Sequence, residues 1–321
     1  MNINYIAEPT ILIDAAFSRG RKAASQYPSQ KKPFYTLKGK EIAKIDASAE
    51  YFMETLEKGV KGFPSIDKLD PFYGDLVTSI INVDEVRKNI SSIYSVTKIV
   101  KKMRMNSIVL LKQLPYRQGK EKEAMEISRR YFGRVASVIK GLKGPIAVYN
   151  DAAKKMKELP KIDVKEECFI LAGLPNVGKS TLLSKVTDSK PEIAAYPFTT
   201  KGLNVGHFMK KYLPVPVIDT PGLLDRPLLE RNKIELKAIT ALQHLKGTIL
   251  FVVDPLDDLE KQKNLFAEIK KLFSEKGFVI VINKTDIASE QQTEEAKDAF
   301  KGYEIIIEGK DLSTLRKYLV G

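Results

Sequence analysis

Gly173-Leu-Pro-Asn-Val-Gly-Lys-Ser-Thr181 is the stretch that decides the fold of the second half of this chain. It follows an apolar run, Cys168-Phe-Ile-Leu-Ala172, which predicts a buried strand. It opens into Thr181-Leu-Leu-Ser-Lys-Val186, which predicts the first turns of a helix. A strand, a glycine-rich loop and a helix in this order form the setting of a phosphate-binding loop. The alternative is a tight strand–helix turn with an exposed lysine, and the loop alone does not exclude it.

The residues of this loop have separate expected roles in binding phosphate. Gly173 and Gly178 allow the backbone to bend where a Cβ atom would collide with the turn or the ligand. The N–H groups between them, with the positive end of the following helix, form a nest for phosphate oxygens. Lys179 is placed to reach the terminal phosphates, and the Ser180 hydroxyl is placed to ligate Mg²⁺. The expected contacts are Gly173, Pro175, Asn176, Val177, Gly178, Lys179, Ser180 and Thr181.

The composition excludes several other classes of protein. The chain has 321 residues, of which 43% are hydrophobic and 29% are charged, as is typical of a soluble protein with two domains. No apolar segment approaches the ~20 residues of a membrane span, and the start, Met1–Glu8, lacks the basic and apolar regions of a secretion signal. A single cysteine excludes an intrachain disulfide. We therefore expect a cytoplasmic protein that does not bind membranes.

The positive charge is concentrated in the first half of the chain. The net charge is +13, of which residues 1–160 carry +12 and residues 161–321 carry the remaining +1. A basic half joined to a nearly neutral half predicts that the first half binds a polyanion. The alternative is an ordinary solvated face on each helix. We place the domain boundary at residue 160, within the linker Leu159-Pro-Lys-Ile-Asp163.

Hydrophobic periodicity differs between the two halves. Residues 1–160 show helical spacing with almost no strand pattern, which predicts an all-α helical bundle. From Val164, short apolar runs alternate with helical segments, which predicts an α/β domain with a mostly parallel sheet and helices on both faces. The predicted strands are Cys168–Ala172, Gly202–Phe208, Val215–Ile218, Thr248–Val253, Phe278–Ile282 and Glu304–Ile307. In such a domain the ligand site lies at the carboxyl ends of the strands.

Two further segments place Mg²⁺ ligands beside the phosphates. Asp219-Thr-Pro-Gly222 follows an apolar strand, so Asp219 can hold the Mg²⁺ shell while the Gly222 N–H senses a γ-phosphate. An ordinary strand-end turn has the same pattern. Tyr196-Pro-Phe-Thr-Thr-Lys201 lies where a mobile loop should offer a threonine to Mg²⁺. Thr200 is the expected ligand and Thr199 the alternative.

Asn283-Lys-Thr-Asp286 predicts a preference for guanine. It follows an apolar strand, and the two carboxylate oxygens of Asp286 can accept both N–H donors on one edge of guanine. Adenine presents an acceptor at the ring position where guanine presents a donor, so it would leave Asp286 unpaired. The stem of Lys284 can lie on the base, and Asn283 can hold the loop together. A polar turn is the alternative, but the order of the motifs argues against it.

In this order, the motifs resemble the translation-factor-related class of P-loop GTPases. Leu174-Pro-Asn-Val-Gly-Lys-Ser180, Tyr196-Pro-Phe-Thr-Thr200 and Asp219-Thr-Pro-Gly222 are similar to the Obg superfamily within it. The resemblance tightens to the nucleolar GTP-binding protein family called Nog. The segments that carry it are Thr199–His207, Asp219–Pro227 and Glu230–Leu245 in the second half, with Phe63–Asp67, Leu69–Leu76 and Phe132–Arg134 in the first.

The resemblance implies a Mg²⁺-dependent GTPase that acts in assembly of the large ribosomal subunit. Residues 1–160 would be a basic helical bundle that docks on ribosomal RNA, and residues 161–321 an Obg-type, Ras-like GTPase domain that binds GTP and GDP. We expect a monomer in solution. Because the chain stops just after the second domain, it resembles an archaeal-type short form without the C-terminal extension of nucleolar members. The family carries a Ser-Ala-like pair in its last guanine-contacting loop, whereas this chain has Ile307-Glu-Gly-Lys310.

The residue after Gly222 limits the expected rate of hydrolysis. It is Leu223, where a Ras-like protein has a glutamine that orients water, so intrinsic hydrolysis should not exceed the ~10⁻⁴ s⁻¹ scale of an unassisted GTPase. Related GTPases with an apolar residue here often use K⁺ in the role of an arginine finger, held partly by an asparagine of the phosphate loop, and Asn176 matches that position. A simple backbone cap is the alternative for Asn176. The residues expected to act in catalysis are therefore Lys179, Thr200, Gly222 and Asn176.

Two arginines follow the Asp219–Gly222 motif, and two functions are compatible with the motifs. Arg226 and Arg231 follow the Asp219–Gly222 motif and could stabilise charge, but we assign both to a solvated surface. The favoured function is a GTPase whose nucleotide state controls docking on ribosomal RNA. The alternative is a GTP-dependent switch that recruits a protein effector and hardly turns over by itself.

Overall fold

The computed structural model divides the chain into two compact units. It describes residues 3–117, 120–188, 191–194, 196, 202–227, 230–231, 233–309 and 313–320. The first unit contains the residues up to Ser65 together with Ile81–Lys157. The second contains Ile66–Ile80 together with the residues from Glu158 onward. Within the described ranges, no helix is both long and apolar enough to cross a bilayer.

Helices dominate the first part of the chain, and strands and helices alternate in the rest. The helices are α1 (Pro9–Ser25), α2 (Pro33–Gly62), α3 (Pro71–Ile80), α4 (Val83–Gln113), α5 (Lys120–Lys140), α6 (Lys143–Glu158), α7 (Lys179–Val186), α8 (Lys233–Ala241), α9 (Leu259–Leu272), α10 (Glu290–Ala299) and α11 (Ser313–Val320). The strands are β1 (Cys168–Ala172), β2 (Glu192–Ala194), β3 (Leu203–Lys210), β4 (Leu213–Asp219), β5 (Gly247–Val253), β6 (Gly277–Ile282) and β7 (Glu304–Ile307). The predicted fold class, a helical region followed by a mostly parallel α/β domain, is confirmed.

The first unit is built around α2. Its residues Ile45, Ala49, Phe52 and Leu56 recur at helical spacing and are fully buried, so they form one apolar face. Helices α1, α4 and α5 pack against α2. Gly141 and Leu142 separate α5 from α6. Pro145 lies in the first turn of α6, where its missing N–H costs no helical hydrogen bond.

Helix α3 belongs to the second unit, although it lies between helices of the first unit in the sequence. Pro71 is its first residue, and the Phe72 N–H donates to Oδ1 of Asp70 at 3.2 Å, so Asp70 caps the helix. The Tyr73 hydroxyl lies 2.9 Å from the carbonyl oxygens of both Pro160 and Ile162. On another side α3 packs against α8. Residues 66–80 therefore share a core with the α/β unit.

The sheet of the second unit places its strand ends along one edge. Its strand order is β2-β3-β4-β1-β5-β6-β7, in which β2, β3 and β4 pair antiparallel and the others pair parallel. The short strand β2 has no counterpart among the sequence predictions. In the register, Leu171 of β1 pairs with Asp219 of β4, and Val253 of β5 pairs with Ile282 of β6. The loops that follow β1, β4, β5 and β6 therefore emerge beside one another.

Candidate nucleotide-binding site

The loop between β1 and α7 has the backbone conformation that a phosphate-binding loop needs. Gly173 has a φ of +138°, and a Cβ atom there would lie 2.5 Å from the carbonyl oxygen of Val252. Gly178, at the N-cap of α7, has a φ of +100°, and a Cβ there would collide with Nδ2 of Asn283. Asn176 is also in the left-handed region, with a φ of 65°. Both glycines are therefore required by a close approach and by the backbone angle.

The lysine of this loop is buried and is held by the loop itself. Lys179 Nζ donates to the carbonyl oxygens of Gly173 at 2.8 Å and Leu174 at 2.7 Å. Burial lowers the pKa of Lys179, while the negative charges of Asp225 and Asp219 act in the opposite direction. The two carboxylates therefore favour the charged ammonium that an interaction with phosphate oxygens requires.

A cavity of about 500 Å³ opens beside this loop. This volume is within the range of small-molecule sites, which span roughly 300–1,000 Å³. Its lining combines the phosphate loop with the segment after β4, as expected for a site at the carboxyl ends of parallel strands. The lining residues are Pro175, Asn176, Gly178, Lys179, Ser180, Thr181, Asp219, Pro221, Gly222 and Asp225. Val177, which the sequence also predicts in the loop, is fully buried beneath it.

The oxygen atoms at the floor of the cavity fit a Mg²⁺ ion. The Ser180 hydroxyl donates to Oδ2 of Asp219 at 2.6 Å, and Asn204 Nδ2 donates to the same oxygen at 3.1 Å. Asp219 is fully buried, and its Oδ1 atom has no hydrogen-bond partner among the described residues. A buried carboxylate oxygen without a partner is costly unless a cation or a donor compensates it. Mg²⁺ prefers oxygen ligands of this kind, so the predicted ligands Ser180 and Asp219 fit the ion.

The glycine of the segment after β4 is already engaged in a hydrogen bond. The Gly222 N–H donates to Oδ2 of Asp225 at 2.9 Å, and Gly222 has a φ of +77°. Arg231 donates through one terminal nitrogen to the Gly222 carbonyl oxygen, and through the other to Oδ1 of Asp225 at 3.1 Å. Leu223 is 1% exposed, so its side chain packs in the core. Asp225 and Arg231 thus surround Gly222 at the edge of the cavity.

The expectation for the two arginines is correct for one and wrong for the other. The Arg226 side chain is 44% exposed and pairs with Glu235 at 3.1 Å, so it lies on the surface as predicted. The Arg231 side chain has no exposed area, although we expected it in solvent. Its burial follows from its contacts, because the Asp225 carboxylate and the Gly222 carbonyl replace the water that a guanidinium would otherwise bind.

The predicted guanine loop follows β6 and is tied to its neighbours. Asn283 Nδ2 donates to the carbonyl oxygen of Val177 at 2.8 Å, which joins this loop to the phosphate loop. Lys284 has a φ of +60°, and its Nζ contacts Oδ2 of Asp254 at 2.6 Å. Asp286 is exposed at the end of the motif. The structure therefore brings the phosphate and guanine motifs to one edge of the sheet, with the Asp286 carboxylate accessible to a base.

The segment after β7 lies against the guanine loop. The hydroxyl and the N–H of Thr285 donate to the carbonyl oxygen of Glu308, at 2.9 and 3.3 Å. A Cβ atom on Gly309 would lie 3.8 Å from Cβ of Asp286. Glu308 is 1% exposed, and its carboxylate accepts from the N–H of Leu315 in α11. Glu308 and Gly309 thus lie where the sequence places the last guanine-contacting loop, while Lys310 lies outside the described residues.

Some predicted residues lie outside the described part of the chain, and some contacts were not predicted. Thr199 and Thr200, the candidate Mg²⁺ ligands, are outside it. Tyr196 is described: it is 4% exposed, and its hydroxyl donates to the carbonyl oxygen of Ala238 in α8 at 2.6 Å. Asn204 could have been found from strand pairing, because it lies opposite Asp219 in the β3–β4 register. Asp225 has only a weak sequence signal, an acidic residue three positions after a glycine.

Comparison with known families identifies the chain. Residues 1–163 match the family model described as the NOG1 N-terminal helical domain, which covers half of the chain. The chain belongs to the NOG1 family. Residues 168–284 match the model described as a 50S ribosome-binding GTPase, so the second unit of this NOG1-family chain is a GTPase domain. The resemblance predicted from the motifs is confirmed.

Similar proteins extend across archaea and eukaryotes. An uncharacterized protein of Methanocaldococcus jannaschii is 35% identical over 293 residues, which are 89% of this chain and 81% of that protein. Nucleolar GTP-binding protein 1 of Saccharomyces cerevisiae is 35% identical over 80% of this chain and 40% of its own length. The chain thus spans about two fifths of such curated relatives. A crystal structure of nucleolar GTP-binding protein 1 from Plasmodium falciparum is 34% identical, covers 50% of this chain and 86% of that chain, and has a TM-score of 0.41.

Proposed function

We propose that this chain binds and hydrolyses GTP and acts as an assembly factor for the large ribosomal subunit. In this proposal the nucleotide state controls the docking of the basic helical unit on ribosomal RNA. The observation that carries the proposal is the Asn283–Val177 hydrogen bond, which holds a guanine motif and a phosphate loop together in one domain. The relatives' name, nucleolar GTP-binding protein, and the 50S ribosome-binding description of the matching GTPase model support the partner.

In this proposal the parts of the site have separate roles in binding. The amides of the phosphate loop and Lys179 hold the phosphates, and Asp286 selects guanine. Ser180 and Asp219 would hold Mg²⁺, and Thr200, which lies outside the described residues, is the further ligand predicted from the sequence. When bound, Mg²⁺ neutralises charge on the β- and γ-phosphate oxygens. Because Leu223 is buried and apolar, it does not orient water. Hydrolysis by the protein alone is therefore slow, on the order of 10⁻⁴ s⁻¹, and K⁺ near Asn176 raises it.

Helix α3 offers a route from the nucleotide site to the rest of the chain. Helix α8 follows the Asp219–Gly222 motif. The carbonyl oxygen of Ala238 in this helix accepts a hydrogen bond from the Tyr196 hydroxyl. Helix α3 packs against α8, and just beyond α8 the His244 ring contacts Oδ2 of Asp75 in α3 at 3.0 Å. Since α3 is joined by sequence to α2 and α4, a nucleotide-dependent movement of α8 acts on the connections into the helical unit.

The basic helices supply a surface for phosphate contacts. Their exposed cations lie on α4, α5 and α6, and they read no base edges, so binding follows RNA shape and charge. Affinity for ribosomal RNA should therefore fall steeply with salt. The exposed basic residues include Lys98, Lys101, Lys102, Lys112, Arg129, Arg130, Arg134, Lys140 and Lys143.

A single-turnover experiment tests the proposal. GTP hydrolysis is measured with and without purified large ribosomal subunits, and subunit binding is measured with GDP and with a non-hydrolysable GTP analogue. Acceleration by subunits and nucleotide-dependent binding support the proposal. Binding to subunits in neither nucleotide state contradicts it, and hydrolysis indifferent to subunits favours the effector-recruiting switch.

Charge-reversal variants test whether subunit binding depends on the basic helical surface or only on the net charge of the protein. Lys101→Glu with Lys102→Glu should weaken subunit binding and reduce its salt dependence. Lys271→Glu with Lys301→Glu changes the net charge by the same amount on exposed positions of the second unit and serves as the matched control. Equal losses in both variants would show that the helical surface has no special role.

A further inference from the structure

We propose that Asp225 competes with the γ-phosphate for the Gly222 amide and thereby sets the preference of the site between GDP and GTP. This proposal rests on the proposed binding of guanine nucleotides and not on the ribosomal partner. Gly222 has one N–H, and it donates to Oδ2 of Asp225 at 2.9 Å. A γ-phosphate that is sensed by Gly222 must replace this carboxylate, whereas a β-phosphate held by the loop need not.

Position and charge make Asp225 a close substitute for a phosphate. It lines the same cavity as Lys179 and Ser180, and its side chain is only 15% exposed. The negative charges of Asp225 and Asp219 both act on the Lys179 ammonium. One carboxylate therefore supplies to both Gly222 and Lys179 the negative charge that a γ-phosphate would bring. A triphosphate that entered beside it would also meet electrostatic repulsion.

Arg231 holds Asp225 in this place. One of its terminal nitrogens donates to Oδ1 of Asp225 at 3.1 Å, and the other donates to the carbonyl oxygen of Gly222. The guanidinium thus clamps the carboxylate and the glycine into one closed turn. Its Nε atom has no hydrogen-bond partner among the described residues, and its side chain has no exposed area. Burial in this clamp keeps Asp225 in one orientation, so its displacement has a measurable cost.

The segment that contains Asp225 is coupled to the phosphate loop by backbone contacts. The N–H of Gly173 donates to the carbonyl oxygen of Leu224 at 3.0 Å, and the N–H of Leu223 donates to the carbonyl oxygen of Thr220 at 3.0 Å. With Leu223 and Leu224 both 1% exposed, this part of the turn is anchored in the core. Release of Asp225 is therefore a local change of one side chain and one amide, which a substitution at Asp225 can mimic.

The test compares the affinities of two nucleotides in Asp225 variants. The dissociation constants of GDP and of the analogue GTPγS are measured by calorimetry in Mg²⁺ buffer for the full chain. Asp225→Ala should strengthen the binding of GTPγS relative to that of GDP by about ten-fold or more. The variant removes both the hydrogen bond from Gly222 to the carboxylate and the repulsion between this carboxylate and the γ-phosphate. Asp225→Asn keeps the shape and an acceptor oxygen but loses the charge, so it should fall between wild type and Asp225→Ala.

Glu235→Gln is the matched control, since it removes one negative charge from the same region outside the cavity. Its ratio of GTPγS to GDP affinity should equal that of wild type. If Asp225 has only a structural role, both nucleotides weaken by the same factor and the proposal is overturned. A selective loss of GTPγS affinity in Asp225→Ala or Asp225→Asn also overturns it, because Asp225 would then assist the triphosphate. Failure of wild-type protein to bind either nucleotide would instead refute the proposed GTP binding.

Discussion

Asn283 and Val177 lie 106 positions apart in the chain, and the Asn283 Nδ2 atom donates to the Val177 carbonyl oxygen at 2.8 Å. The Asn283 N–H donates to the carbonyl oxygen of Val253 at 2.8 Å, so the backbone of Asn283 is anchored to β5. The close approach of Asn283 to Gly178 explains why a residue with a Cβ atom does not fit there. One amide group therefore links the phosphate loop to the predicted guanine loop.

Asn283→Ala should weaken the binding of GDP and of GTP by the same factor. The variant leaves the buried Val177 carbonyl unpaired and frees the two loops from each other, which costs roughly 1–3 kcal/mol, or about 5- to 150-fold in affinity. Calorimetry with GDP and a GTP analogue measures both constants. Asn264→Ala, at an exposed position of α9, is the control and should bind like wild type. A loss confined to one nucleotide would contradict the bridging role.

Asp286→Asn should change the preference of the site from guanine to xanthine. The variant replaces one acceptor oxygen with an NH₂ donor, which repels the N–H groups of guanine but suits the oxygen that xanthine carries at the same ring position. A site that loses such a pairing rejects its ligand by on the order of 100-fold or more. Competition of GTP, XTP and ATP for a fluorescent nucleotide measures the change.

The control for that variant is Glu294→Gln, which removes one charge from an exposed position of α10, the helix that follows this loop in the sequence. It should keep the guanine preference. If Asp286→Asn also keeps it, the base is selected by other groups, and the role assigned to the motif is wrong.

The parts of the site that the sequence predicted are those in which the chemistry is local. Gly173–Thr181 and Asn283–Asp286 each follow an apolar run, so strand, turn and ligand contact are encoded within a dozen residues. Parallel pairing then brings the strand ends together, as the α/β pattern requires.

The missed features depend on packing between distant segments. Helix α3 reads as one more helix of a bundle, and nothing in its own sequence shows that Phe72, Leu76 and Val77 are buried in the α/β unit instead. Arg231 carries a charge that predicts exposure, and only its meeting with Asp225 and Gly222 explains its burial. Such pairings decide whether a polar side chain can leave water, and no local pattern encodes them.

Potassium should accelerate hydrolysis, and Asn176 should be required for the effect. Asn176 lines the cavity with a left-handed backbone, so its side-chain oxygen is a candidate K⁺ ligand beside the phosphates. An arginine finger is worth on the order of 10³-fold or more, so partial replacement by a monovalent cation should give about ten-fold. Single-turnover rates are compared in K⁺ and Na⁺ buffers of equal ionic strength. Asn176→Ala should remove the difference between the rates in K⁺ and Na⁺, and Asn264→Ala should keep it. Equal wild-type rates in the two buffers would exclude a role of K⁺ in hydrolysis.

Ionisation of the buried Tyr149 hydroxyl should make the helical unit less stable at alkaline pH. Its ring is fully buried in α6, and its hydroxyl lies 2.8 Å from the Gly59 carbonyl oxygen and 2.9 Å from that of Asn4. Burial raises the pKa of Tyr149 to about 12 from an ordinary value of 10.0. The folded state therefore keeps the proton to higher pH than the unfolded state. This contribution to stability is complete below pH 10 and is lost as the pH rises through about 12.

Tyr149→Phe separates this titration from the rest of the protein. At neutral pH the free energy of unfolding of the variant should be about 1 kcal/mol lower than that of wild type, because the hydrogen bond of the hydroxyl is lost. Between pH 10 and 12 its unfolding free energy should fall less steeply than that of wild type, by up to about 1.4 kcal/mol per pH unit. Urea unfolding followed by circular dichroism measures both, with Tyr94→Phe, a half-exposed position of α4, as the control. Parallel pH profiles for wild type and Tyr149→Phe would mean that the buried hydroxyl does not govern the alkaline loss.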